Sequence, residues 1–252
     1  MIKKITTTIC ALCLWSAGAT ADETLSLKIG YANLNPSGSF ASSNLVSNTR
    51  LQVDSMLAMQ NSSGVTMEGA LQFGDHRLSL NILPISVGGS KTLTTPITFA
   101  GKTYNIGTNI NSSFKSTIYD LGYTYFFINM DDLPSRLQLG VEFTLKLNQI
   151  KSSISSSAVG SSTITTTAPI PTVGLRGRIA LADFVGLVGR IGYASVGRRG
   201  SYLDVDSQVE FSLLPLVGGY AGYHYIQLKT NSSNSFSDIR LSGPYLGAMV
   251  RF

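Results

Sequence analysis

The chain has 252 residues, 13% of them charged and 43% hydrophobic, with a formal net charge of +5. A slightly positive mean hydropathy argues against an ordinary soluble domain, yet no interior run reaches the roughly 18 apolar residues of a membrane helix. Such a chain, rich in Gly, Ser, Thr and Tyr, points to membrane strands closed into one barrel, because only helices and closed barrels satisfy every backbone polar group in lipid.

The amino terminus reads as a signal peptide over residues 1–21. Lys3 and Lys4 precede an apolar core at 9–15, and Ala19-Thr20-Ala21 places cleavage before Asp22. Cys10 and Cys13 both fall in that segment, and Leu12 is too large to precede a lipoprotein cysteine. The remainder, 22–252, is expected to be a single barrel domain without cysteine, so neither disulfide nor thiol chemistry is open to it. It is only mildly basic and has no basic run, which leaves nucleic acid out of the expected partners.

The first strand is expected over 24–33, with Leu25, Leu27, Ile29 and Tyr31 on one face and Ser26, Lys28 and Gly30 on the other. A polar loop runs from 35 to 64 and holds a short apolar piece at 51–59, open between a helix turn and a strand. Residues 65–73 alternate again, Gly74-Asp75-His76 makes a tight turn, and 77–87 returns, with Pro84 tolerable only near a rim or bulge. The second long loop, 88–112, contains a Thr-rich run at 93–104 expected to stand up as a small hairpin. Residues 115–128 form an aromatic strand, with Tyr119, Leu121, Tyr123, Tyr125 and Phe127 on one face, suited to an interfacial girdle. After a turn at 129–134, the alternation from Leu137 to Asn148 is long enough for a tilted bilayer crossing. A Ser-rich loop at 152–162 leads to strands at 165–181, 185–196, 203–213, 217–229 and 239–252, with turns at Asp183, 197–200 and Pro215.

The count is about ten strands, eight being the alternative, in an all-β, antiparallel up-and-down transmembrane β-barrel. With Phe252 in the periplasm, the short connections at Gly74, Asp131, Asp183 and Pro215 all fall on that side, and the mostly longer Ser/Asn/Gly-rich ones fall outside. The end of the chain, with Tyr245, Gly247, Val250 and a terminal Phe252, resembles the signal by which Gram-negative outer-membrane barrels are recognised for assembly. The segments ITFAGKTY at 97–104, LGYTY at 121–125, GGYAGYHYI at 218–226 and GPYLG at 243–247 together resemble a family of Gram-negative outer-membrane barrels without an assigned activity. The resemblance implies a barrel in the cell outer membrane after signal-peptide cleavage, and no catalytic residues or cofactors. The expected partners are outer-membrane lipid, lipopolysaccharide, the barrel-assembly machinery and periplasmic chaperones, with a small-molecule solute as candidate ligand.

On this strand phase the inward charges are the candidate site. The lumen set comprises Arg136, Glu142, Lys146, Arg176, Arg178, Arg190, Asp204, Asp206, Glu210 and His224, joined by Lys28, Arg77, Arg251, Glu68 and Asp120. Two readings are open: a salt-bridged filling of a small barrel, or a narrow polar pore in which Arg176, Arg178 and Arg190 make a basic stripe favouring anions. The expected function is a narrow porin or a small-molecule uptake or binding barrel, hydrophobic ligands included. The alternative is a plugged structural or surface-interaction barrel acting through its outer loops. No enzyme is expected, because His76 in a turn and His224 in a strand stand outside any nucleophile–base motif, although His224 is placed to face Asp206 or Glu210. Two histidines, no mature cysteine and scattered carboxylates suggest no metal site. Arg198 and Arg199 at the outer rim are candidates for lipopolysaccharide phosphates.

Overall fold

The computed structural model describes residues 25–42, 51–52, 60–130, 136–182, 184–195, 197, 200–212, 214, 216–232 and 235–252. The expected signal peptide, most of the apolar piece at 51–59, the turn residues Asp131, Asp183 and Pro215, and Arg198 with Arg199 lie outside them.

Period-two alternation dictates strands, and strands account for nearly all the described residues. In chain order they are β1 (Leu25–Ser42), β2 (Leu51–Gln52), β3 (Ser62–Phe73), β4 (His76–Thr92), β5 (Ile97–Phe99), β6 (Lys102–Tyr104) and β7 (Asn109–Met130). Then follow β8 (Leu137–Ser156), β9 (Gly160–Ala182), β10 (Val185–Ser195), β11 (Gly200–Ser212), β12 (Val217–Ser232) and β13 (Ser235–Arg251). Ten of them pair antiparallel in the order β13-β12-β11-β10-β9-β8-β7-β4-β3-β1, and β1 closes on β13 into a barrel. Closure runs to the chain ends, where Leu25 and Phe252 exchange backbone hydrogen bonds of 3.1 and 2.8 Å. A closed ladder has no edge in the membrane, which is what lipid demands. The near rim holds Leu25, Phe252 and the two-residue turn at Gly74, whose φ of +54° suits glycine.

The exterior carries the apolar side of the alternation. Leu27, Ile29, Leu121, Phe143, Leu145 and Leu246 are all exposed, Leu246 at 65%. An apolar belt of this size on a closed barrel is a surface for hydrocarbon. Pro84 sits just past the last β3–β4 ladder pair, Met67 with Ile82, at the weak point the sequence calls for.

The far rim departs from the sequence expectation. Much of the supposed loops at 88–112 and 152–162 is strand: β7, β8 and β9 run 22, 20 and 23 residues, whereas β10 has 11. Beyond the belt a strand no longer needs an apolar face, so alternation disappears while the Thr- and Ser-rich ladder continues. The result is a wall of β4, β7, β8 and β9 standing above its neighbours. Within the expected loop, β5 and β6 form the predicted hairpin around Ala100 and Gly101, which have φ of +49° and +78°. It packs through Ile97 and a fully buried Tyr104 onto Leu93, Ile110 and Ile154, and the Tyr104 hydroxyl donates to the Ile154 carbonyl at 3.1 Å.

β9 pairs with β10 only from Val173 to Ala182, so among the described residues Gly160 to Thr172 has no strand on that side. The Ala180 amide donates to the Arg136 carbonyl, so even-numbered residues bond toward β8 and odd-numbered ones face the open side. Pro169 and Pro171 therefore put their missing amides on the open edge, where proline blunts unwanted pairing.

Candidate functional site

The second face of the alternation fills the lumen, and its charges meet in linked clusters. Nearest the terminal rim, Glu210 holds three cations. Lys28 Nζ lies at 2.9 Å and Arg178 Nε at 3.3 Å, and Arg251 Nη2 bonds the second carboxylate oxygen. Gln208 donates to the same carboxylate at 2.7 Å. In the middle, Arg77 reaches Glu68 at 2.7 Å, Arg176 lies 4.0 Å from Glu68 and 3.8 Å from Glu142, and Arg190 lies 3.8 Å from Glu142. Farther up, Lys146 bonds Asp120 and sits 2.6 Å from Asp204, with Arg190 at 3.2 Å from Asp120 and 3.7 Å from Asp204. His224 Nε2 is 2.8 Å from Asp204 Oδ1. Arg190 thus ties the middle cluster to the upper one. Mutual pairing on this scale is what makes burial of so many charges tolerable.

Above the charges lies an apolar layer not anticipated from the sequence. Leu34, Leu83, Ile85, Ile118, Ile226 and Leu241 point inward from five strands and pack with Tyr202 into one cluster. The signal was present in β4, where the run Ile82-Leu83-Pro84-Ile85 is apolar on both faces, the mark of a strand buried on its inner side as well. Among the described residues, two voids within the lumen measure about 40 and about 10 Å3, room for water molecules.

Tyrosines complete the filling, and they explain the glycines of the carboxy-terminal segment. Tyr245 donates to Asp206 at 2.8 Å and its ring lies 5.9 Å from that of Tyr220. A Cβ on Gly247 would stand 2.7 Å from the Tyr220 ring and 2.6 Å from the Gly30 Cα, and one on Gly222 would meet Tyr245. Gly247→Val is accordingly expected to lower stability by about 1–3 kcal/mol through overpacking. Adding Tyr220→Ala should recover only part of the loss, because the Ile29 carbonyl also occupies the Cβ position. A urea-unfolding double-mutant cycle measures both effects.

Most of the sequence-predicted site residues are brought together, with three corrections. Arg136 is exposed at the foot of β8 and stands outside the network: its carbonyl still accepts from the Ala180 amide, but it lies before the first residue of the strand, at the rim. His224 meets Asp204 rather than Asp206 or Glu210: its cross-strand partner is Asp206, but the imidazole leans along the strand to the next inward carboxylate. The supposed basic stripe is paired off, each of Arg176, Arg178 and Arg190 lying against a carboxylate. Tyr202, Tyr220 and Gln208 were missed, since uncharged inward residues give no signal of their own beyond phase.

No protein-family model and no curated protein matches the chain. Among solved structures it is similar to the outer membrane protease OmpT of Escherichia coli, at TM-score 0.58 and 10% identity over 94% of this chain and 99% of that one. It is also similar to the translocator domain of autotransporter NalP from Neisseria meningitidis, with TM-score 0.48, 15% identity and coverage of 100% and 95%. A third likeness is to Ail, the attachment invasion locus protein of Yersinia pestis, with TM-score 0.41, 14% identity and coverage of 91% and 99%. At such identity the OmpT likeness carries architecture and not activity: the chain has the fold of an outer-membrane β-barrel.

Proposed function

We propose that this chain is an integral protein of the outer membrane whose lumen is closed and whose work is done by the part of the barrel that rises outside, as a surface-interaction protein. The filled interior carries this reading: three charge clusters and an apolar layer lie in series across the lumen, and two voids among the described residues there measure about 40 and 10 Å3. The long β7–β9 wall and its hairpin then offer the outward surface. In this reading the terminal strand, with Tyr245, Gly247, Val250 and Phe252, is what the barrel-assembly machinery engages. The reading includes no catalytic step, since His224 is spent on Asp204 in a closed interior and His76 bonds Tyr123 at the near rim. Single-channel recording of the refolded chain in a planar bilayer should show no steps. Steady ion-selective steps would overturn the closed lumen and return the narrow-porin reading.

A second reading, uptake of small apolar molecules from the side, is favoured by one observation. Above Met67–Ile82 the β3–β4 ladder gives way to two contacts, Ser86 N to Ser62 Oγ at 2.7 Å and Gln60 N to the Gly88 carbonyl at 3.1 Å. Leu83 and Ile85 of the apolar layer lie beside that seam. An apolar dye taken up by vesicles holding the protein, and not by empty ones, would favour it.

A further inference from the structure

On the outer face of the tall wall, Lys115 of β7 and Lys151 of β8 are direct cross-strand partners, and both are exposed. Like charges directly opposite in a ladder are about 5 Å apart at Cβ and destabilise it. Neither lysine has a carboxylate partner among the described residues. Their row continues across the wall as Ser86–Lys115–Lys151–Thr165, every member exposed. Two rows nearer the terminal rim lies Ile82–Tyr119–Leu147–Pro169, the upper margin of the apolar belt. Four residues along a strand is about 13 Å, or roughly 10 Å along the normal for a strand tilted about 40°. A lysine stem folding back toward the membrane closes part of that height, which brings both ammonium groups to the headgroup layer.

From this we infer that the row is a binding site for the phosphate groups of the outer-leaflet lipid, lipopolysaccharide. An anion between the two ammonium groups turns their repulsion into a shared charge-assisted contact, and the hydroxyls of Ser86 and Thr165 supply neutral donors on either side. The row faces outward on a barrel wall, so its occupant is a component of the membrane rather than of the lumen. The inference rests on the outer-membrane placement proposed above.

The test compares wild type with Lys115→Gln and Lys151→Gln, refolded into phosphatidylcholine vesicles with and without lipopolysaccharide. Without it, each variant should unfold at higher urea than wild type, because the repulsion is relieved. With it, the order should reverse, and wild type should retain at least tenfold more lipopolysaccharide than the double variant. Dephosphorylated lipopolysaccharide should restore the first order, and inorganic phosphate at equal concentration should not reproduce the second. The same order in both vesicles, or equal retention of the dephosphorylated form, would overturn the site. A site served equally by inorganic phosphate would overturn the lipid as its source. A chain that inserts into neither vesicle would overturn the outer-membrane placement, and the site with it.

Discussion

Glu210→Ala is expected to destabilise the folded barrel by about 3–5 kcal/mol, since removing one member of a buried ion pair leaves its partner charged and unpaired in a desolvated interior. Here one carboxylate serves Lys28, Arg178 and Arg251, and its side chain is only 3% exposed. The effect should exceed that of removing any one of the three cations, because each of those leaves Glu210 two others. Lys28→Met is the useful comparison: it keeps the stem volume, and the remaining guanidinium groups hold the carboxylate. The measurement is urea unfolding in vesicles followed by far-ultraviolet circular dichroism, since the one tryptophan of the sequence falls in the expected signal peptide. A Glu210→Ala loss below about 1 kcal/mol would mean that water reaches this cluster and that the closed-lumen reading is mistaken.

Asp204→Ala is expected to cost a similar amount, about 3–5 kcal/mol, by releasing Lys146, Arg190 and His224 together. Its couplings distinguish an extended network from separate pairs. Asp204 and Asp120 share both Lys146 and Arg190, so the double variant Asp204→Ala/Asp120→Ala should be clearly non-additive. Asp204 is held by Lys146, Arg190 and His224 and Glu210 by Lys28, Arg178 and Arg251, so their double variant should add to within about 0.5 kcal/mol. Adding Lys146→Met to Asp204→Ala should recover part of the loss by removing one of the stranded charges. Additivity across Asp204 and Asp120 would show that the two carboxylates lie in different environments, contrary to the geometry.

The two sets of variants also bear on function. If the apolar layer of Leu34, Leu83, Ile85, Ile118, Ile226 and Leu241 is enough to keep solutes out, the Asp204→Ala barrel remains silent in a bilayer; if charge pairing is the barrier, it conducts. In the proposed reading the lumen is closed twice, by paired charges at one depth and by apolar packing at another. On strand phase alone the arginine stripe reads as a filter. Once each guanidinium is seen against a carboxylate, it becomes part of the filling.

What the sequence by itself determined is the part of the fold that rests on local periodicity. Period-two alternation places Leu121, Phe143 and Leu145 outside and Asp120, Glu142 and Lys146 inside whatever the strands pair with, because successive Cβ atoms point to opposite faces. The ten strands, the tight turn at Gly74 and the hairpin at 93–104 were legible for the same reason. The tall wall was not, because a Ser- and Thr-rich ladder above the membrane has no hydrophobic face to betray it. Only the tertiary structure decided which charges meet. Lys28 and Glu210 are 182 residues apart, and their contact depends on barrel closure and on the register accumulated around it. The apolar layer is likewise a product of closure: Leu34 and Leu241 are unremarkable in their own strands, and they meet Leu83 and Ile85 only where the barrel brings them together. Arg136 shows the limit of phase, since inward parity does not bury a side chain at the open rim of the barrel.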